Sequence, residues 1–123
     1  MDIYQKEVID HYKHPRNFGR IKSNSKSTYA ENPSCGDSIR IDAVIKNGKI
    51  KDIKFSGEGC AIAIASASML TQRVRNMEVV EIADIDFDHV KDMLGVEIHQ
   101  GRKRCAMLAL NTLKKLILKE LKK

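Results

Sequence analysis

The chain has no tryptophan, only 5% aromatic residues and two prolines in its 123 residues. So few rings leave none of the stacking platforms that hold single-stranded nucleic acid. The formal net charge of +6 therefore does not by itself indicate a nucleic-acid binder. Much of that excess lies at Lys114, Lys115, Lys119, Lys122 and Lys123, on or beyond a predicted helix whose other face is leucine-rich. It reads as a solvated face and favours a protein partner. Also missing is any apolar run long enough to span a membrane, and the opening Met1-Asp2-Ile3-Tyr4 is not an apolar signal segment. Cysteine is scarce, and three is an odd number, which argues against a disulfide framework and for reduced thiols in the cytoplasm. With 42% hydrophobic residues, the length fits a single domain spanning residues 1–123, large enough to bury one core without staples.

The apolar residues that are present fall into two periods. Ile3, Val8, Ile9 and Tyr12 follow a helical spacing behind a candidate cap at Asp2, and Pro15 forbids continuation beyond His14. From Arg20 to Pro33 the chain is mostly polar, which predicts an extended or loosely held segment with little core contribution. Ile39, Ile41, Ala43 and Ile45 then repeat every second residue, Asn47-Gly48 supplies a tight turn, and Ile53 and Phe55 alternate beyond it. This predicts a β-hairpin. Residues 61–75, rich in Ala, Ile, Met and Leu, predict a helix that packs closely over a sheet. Between Glu78 and Leu94 the acids Asp84, Asp86 and Asp88 interrupt the pattern, predicting two short helical turns with Gly95 closing the second. After His99-Gln100-Gly101, a last helix is expected over 105–121, carrying Leu108, Leu113, Leu116, Ile117 and Leu121 on one face.

The chemistry sits at Cys35, Cys60 and Cys105. Each has a context unlike a core position: Asn32-Pro33-Ser34-Cys35-Gly36-Asp37, Gly57-Glu58-Gly59-Cys60 and Arg102-Lys103-Arg104-Cys105. A lone cysteine is commonly a small buried hydrophobe, but the hairpin brings two of these to one end of the sheet, since its first strand starts after Cys35 and its second ends before Cys60. Cys60 and Cys105 fall at predicted helix N-termini, where unpaired N–H groups and the helix dipole favour thiolate. The cations at 102–104 make Cys105 the candidate persulfide acceptor. Three thiolates suit zinc, iron and iron–sulfur clusters, and Asp37 supplies a harder, more exchangeable oxygen as the fourth ligand. His11 and His14 lie three apart but have no third ligand nearby, and they read as packing or partner contacts. His99 reads as an exposed loop residue with a path toward the metal site, and His89 as helix surface.

These segments resemble the NifU/IscU-type iron–sulfur cluster assembly scaffold family over essentially the whole chain. The likeness is carried by His11-Tyr12-x-His14-Pro15-Arg16-Asn17-Phe18-Gly19, by Asn32-Pro33-x-Cys35-Gly36-Asp37, by Gly57-x-Gly59-Cys60-Ala61-Ile62 with Ala65-Ser66-x-Ser68, and by the isolated third cysteine. The resemblance implies an α+β fold with a small antiparallel sheet of about three strands covered on one face by helices. It implies sulfur delivery from a pyridoxal-phosphate cysteine desulfurase, assembly of a transient 2Fe-2S cluster on Cys35, Cys60 and Cys105, and transfer to apo iron–sulfur acceptor proteins. A homodimer on cluster binding, and zinc in place of iron on the same ligands, are compatible with it. The alternative is a zinc-dependent sulfurtransferase that accepts persulfide and stimulates the desulfurase; neither reading is a conventional small-molecule enzyme. The housekeeping branch carries a histidine just before its third cysteine and a Leu-Pro-Pro-Val-Lys chaperone motif upstream. Here Arg104 and Ile98-His99-Gln100-Gly101-Arg102 occupy those places. The basic residue is similar to the zinc-dependent branch, but the insertion that branch carries ahead of its third cysteine is absent.

Overall fold

The computed structural model describes residues 2–33 and 36–121. Cys35 and the two C-terminal lysines discussed above, 122 and 123, lie outside them. The order of elements is α1 (Ile3–Lys13), β1 (Lys26–Asn32), β2 (Asp37–Lys46), β3 (Lys49–Glu58), α2 (Ala61–Val74), α3 (Val79–Ile82), α4 (Phe87–Leu94), a 3-10 turn (Gln100–Arg102) and α5 (Lys103–Leu121). The strands form one antiparallel sheet in the order β1-β2-β3, and helices pack on it. No helix among the described residues is long and apolar enough to cross a membrane.

The predicted hairpin is present. Asn47 and Gly48 both take positive φ, 54° and 74°, as a tight turn between right-twisted strands requires. Pairing runs from Lys46↔Lys49 at the turn to Ser38↔Glu58 at the open end, with one irregularity at Val44/Ile45. Ile39, Ile41, Ala43, Ile53 and Phe55 are completely buried beneath the helices. On the opposite face Asp42 is also completely buried. Burial pushes its carboxyl up, but bonds from the Ser27 hydroxyl, the Arg20 guanidinium (2.6 Å) and the Ile21 N–H (3.3 Å) outweigh that and hold it below the ordinary carboxylate range. This acid ties the segment before β1 to the centre of the sheet.

Of the two forms expected for the polar stretch 20–33, Lys26–Asn32 takes the extended one, as an edge strand paired along its whole length with β2. Only Thr28 and Asn32 are buried in it and Ala30 is half-buried, so the inward row carries little apolar signal. Both outer edges of the sheet are attended. Asn17 and Gly19 bond the backbone of Phe55 at 2.9 and 2.8 Å along β3. Along β1 the Lys115 ammonium donates to the Tyr29 carbonyl at 3.2 Å.

The helices follow the expected limits closely. Asp2 caps α1 through a reciprocal box with Gln5, and the helix ends before Pro15. The two short helices after α2 appear as α3 and α4, the latter closed at Gly95. The last helix begins at Lys103, two residues ahead of the expected start, because the preceding 3-10 turn leads directly into it. Completely buried Leu110 and Leu113, with Leu116 and Ile117 at 2% and 1% exposed, fix its inner face.

Candidate metal centre

The open end of the hairpin, the start of α2 and the first turn of α5 converge. Asp37 is the first residue of β2, Cys60 is the N-cap of α2 and Cys105 is the third residue of α5. One ligand atom from each of Asp37, Cys60 and Cys105 lies within 4.8 Å of the other two. The hairpin accounts for the first two: pairing of Ser38 with Glu58 sets the chain on either side of the turn at the same height. The third arrives through helix packing, where the buried Ser66 hydroxyl of α2 donates to the Ala106 carbonyl of α5 at 2.8 Å and so fixes the first turn of α5 against α2.

Asp37 is only 2% exposed. Its Oδ1 accepts the Cys60 N–H at 3.1 Å, while Oδ2 is buried without a hydrogen-bond partner among the described residues. A buried carboxylate oxygen left this way costs several kcal/mol unless a cation meets it. Gly59 makes the approach possible, since a Cβ there would stand 2.9 Å from Asp37 Oδ1 and 3.1 Å from the Ala63 Cβ. A soft pair of sulfurs beside one hard oxygen is a donor set that fits zinc or iron.

Of the cations expected to add positive potential at Cys105, one faces the thiols. The Arg102 guanidinium is held above its ordinary value, first by the charge of Cys60 and then by hydrogen bonds with Cys105 and Cys60. Lys103 instead lays its ammonium over the Phe87 ring, 4.6 Å from the centroid, and Arg104 borders a different cavity, against Pro33 and Met107. No sequence pattern distinguishes these three neighbours; the turn of the backbone does.

The centre is largely enclosed. Cys105 is completely buried and Asp37 nearly so, while Cys60 is partly exposed. The site opens on the Cys60 side into a cavity of about 320 Å³ bordered by Glu97, His99 and Arg102. His99 is exposed there, on the path that sequence reading allowed. His11 is far from this centre: its Nδ1 is 2.7 Å from Ser68 Oγ, and it is buried between α1 and α2. His14 is exposed at the end of α1, and His89 closes the cap of α4 with Asp86. Cys35 is outside the described residues, two positions before Asp37 in the chain.

Fold and site together define an α+β protein that gathers a thiolate–carboxylate donor set from three separate elements. The chain belongs to the NifU-like N terminal domain family, whose model matches residues 3–123. It is 34% identical to the zinc-dependent sulfurtransferase SufU of Bacillus subtilis, with 96% of this chain and 91% of that protein covered. It is 36% identical to the iron–sulfur cluster assembly scaffold protein IscU 1 of Archaeoglobus fulgidus, over 94% of this chain and 74% of that one. Its fold is also that of the N-terminal part of a NifU-like protein from Brucella abortus, at a TM-score of 0.80 and 15% identity, covering 98% of this chain and 96% of that chain.

Proposed function

We propose that this protein is an iron–sulfur cluster assembly scaffold, receiving sulfur from a cysteine desulfurase and building a 2Fe-2S cluster on Cys35, Cys60 and Cys105 before passing it to apo acceptor proteins. The observation that carries the reading is the meeting of Asp37, Cys60 and Cys105 around a buried carboxylate oxygen with no hydrogen-bond partner among the described residues. Cys35 stands two residues before Asp37 in the chain. In the sulfur step a thiolate of this protein attacks the outer sulfur of the desulfurase persulfide. A new S–S bond forms and the desulfurase thiolate leaves. Cys105 is the sequence candidate for that attack, and its burial means that the first turn of α5 must open for it. Reduction to sulfide takes two electrons per sulfur from an external donor. Iron and cluster are cargo, and Asp37 is the exchangeable ligand that lets them leave.

Anaerobic reconstitution with ferrous iron and sulfide should give visible sulfur-to-iron charge-transfer bands, lost in Cys35→Ser. Folded wild-type protein that stays colourless under these conditions would end the proposal.

A second reading, a zinc-dependent sulfur acceptor, is favoured by the 34% identity to SufU over nearly the whole chain and by Arg102, whose charge beside Cys60 and Cys105 offsets the thiolates of a site holding a single zinc. It predicts that zinc-loaded protein stimulates desulfurase turnover and metal-free protein does not. Equal turnover in the two states removes it.

A further inference from the structure

We propose that the outward face of α5 is a docking surface for an acidic amphipathic helix of a partner protein. Arg104, Met107, Asn111, the pair Lys114 and Lys115, Leu118 and Leu121 recur at three- and four-residue spacing along this helix, the spacing of one helical face. Behind that face Leu110, Leu113, Leu116 and Ile117 are buried in the core; of the outer row Met107 packs partly against that core and Lys115 bonds the Tyr29 carbonyl, while the two leucines at its far end stay open. Leu118 is 51% exposed and Leu121 41% exposed. Two cavities flank the row. One of about 600 Å³ lies between the end of β1 and the first half of α5, bordered by Pro33, Arg104 and Met107. The other, of about 310 Å³, lies beside Lys114, Leu118 and Leu121, and Asn111 borders both, so the two recesses follow one another along α5 as a trough with Asn111 between them.

The charge of this trough selects its occupant. Arg104, Lys114 and Lys115 rim it, against the single acid Glu31 near its start. Apolar side chains inside a cationic rim match a helix with leucines on one face and glutamates or aspartates beside them. From Arg104 to Leu121 the row is roughly 26 Å long at 1.5 Å per residue, space for a partner helix of four to five turns. Its upper end begins at Arg104, the residue before Cys105 in the chain, which places a docked partner at the same end of α5 as the metal centre. That last point rests on the proposed function, because a sulfur donor or cluster acceptor is the partner such placement would serve; binding of the helix does not depend on it.

The test uses the full chain and a labelled peptide of about 16 residues, a length that spans the trough, with leucines at three- and four-residue spacing flanked by glutamates. Fluorescence anisotropy should show saturable binding, weakened at least tenfold in the double variant Lys114→Glu/Leu118→Asp and absent for the same peptide with lysines in place of glutamates. Both substituted positions point away from the core, and an unchanged circular dichroism spectrum and zinc content confirm that fold and centre are intact. No binding, equal binding by the variant, or equal binding of the lysine peptide overturns the proposal. So does preferential binding to vesicles of anionic phospholipid, which would make the face a membrane surface, or concentration-dependent dimerisation lost in the same variant, which would make it a contact between two copies. Loss of cluster reconstitution with peptide binding retained speaks against the proposed function alone.

Discussion

Asp37 combines near-complete burial with one carboxylate oxygen bonded to the Cys60 N–H and the other without a hydrogen-bond partner among the described residues. Its position makes two demands that conflict: the acid must be close enough to meet a metal, and hard enough to be a poor match for an iron–sulfur cluster. Substituting Asp37→Ala should therefore slow transfer of a reconstituted cluster to an apo-ferredoxin by about tenfold, the effect of roughly 1.4 kcal/mol on the barrier. Unchanged transfer kinetics, followed by circular dichroism of the acceptor, would remove Asp37 from the release step. The surrounding residues were legible in the sequence to different degrees. Cys60 and Asp37 are brought together by a hairpin whose alternation and Asn-Gly turn are local signals. Cys105 depends on α5 settling against α2 through the Ser66 hydroxyl and the Ala106 carbonyl, a contact forty residues apart in the chain that no local pattern encodes. The same holds for Arg102, singled out from its cationic neighbours only by the 3-10 turn on which it sits.

Among the elements, α1 shows how a helix with an exposed apolar side is held in place. Ile3, Tyr4 and Tyr12 face solvent, Val8 is the apolar side chain that α1 buries in the core, and polar groups add to the attachment to α2: Ser68 Oγ meets His11 Nδ1 at 2.7 Å and accepts the Arg16 N–H at 2.8 Å. The tautomer of the neutral imidazole sets which of the Ser68 hydroxyl and Nδ1 donates. Burial, and then the charge of Arg16, push the His11 imidazole below its ordinary range. A base whose folded value is depressed binds fewer protons folded than unfolded, so stability is full above the unfolded value near 6.5 and declines as pH falls from there toward the folded value. Urea titrations should show the unfolding midpoint dropping below about pH 6.5, a dependence that His11→Gln flattens. A slope unchanged by the substitution assigns it elsewhere. β1 is the element that the sequence concealed, since its inward residues Thr28, Ala30 and Asn32 are too polar and too small to print a two-residue apolar period. The long helix α5, by contrast, was legible almost to its ends from leucine spacing alone, because one face carries the largest share of its burial.

For the molecule as a whole, the donor groups come from β2, α2 and α5, so a bound metal joins parts of the chain that folding alone must otherwise keep together. The core of Ile39, Ile41, Phe55, Leu70, Leu110 and Leu113, all at most 1% exposed, stands without it. Metal-free protein should therefore remain folded, and zinc at a hundredfold its dissociation constant should add about 2.7 kcal/mol, raising Tm by roughly 10 °C for a chain of this size. Calorimetry showing a metal-free chain without a cooperative transition would contradict the first statement, and an unmoved Tm with zinc bound the second. The sheet has a further property at this scale. Strand edges invite pairing with other molecules, and Lys115 places its ammonium on the Tyr29 carbonyl midway along the rim that β1 leaves open. A foreign strand laid there would have to evict a charged, hydrated group before forming its first bonds, so the protein can carry a short polar border without seeding fibres, and its encounters are left to its helices and thiols.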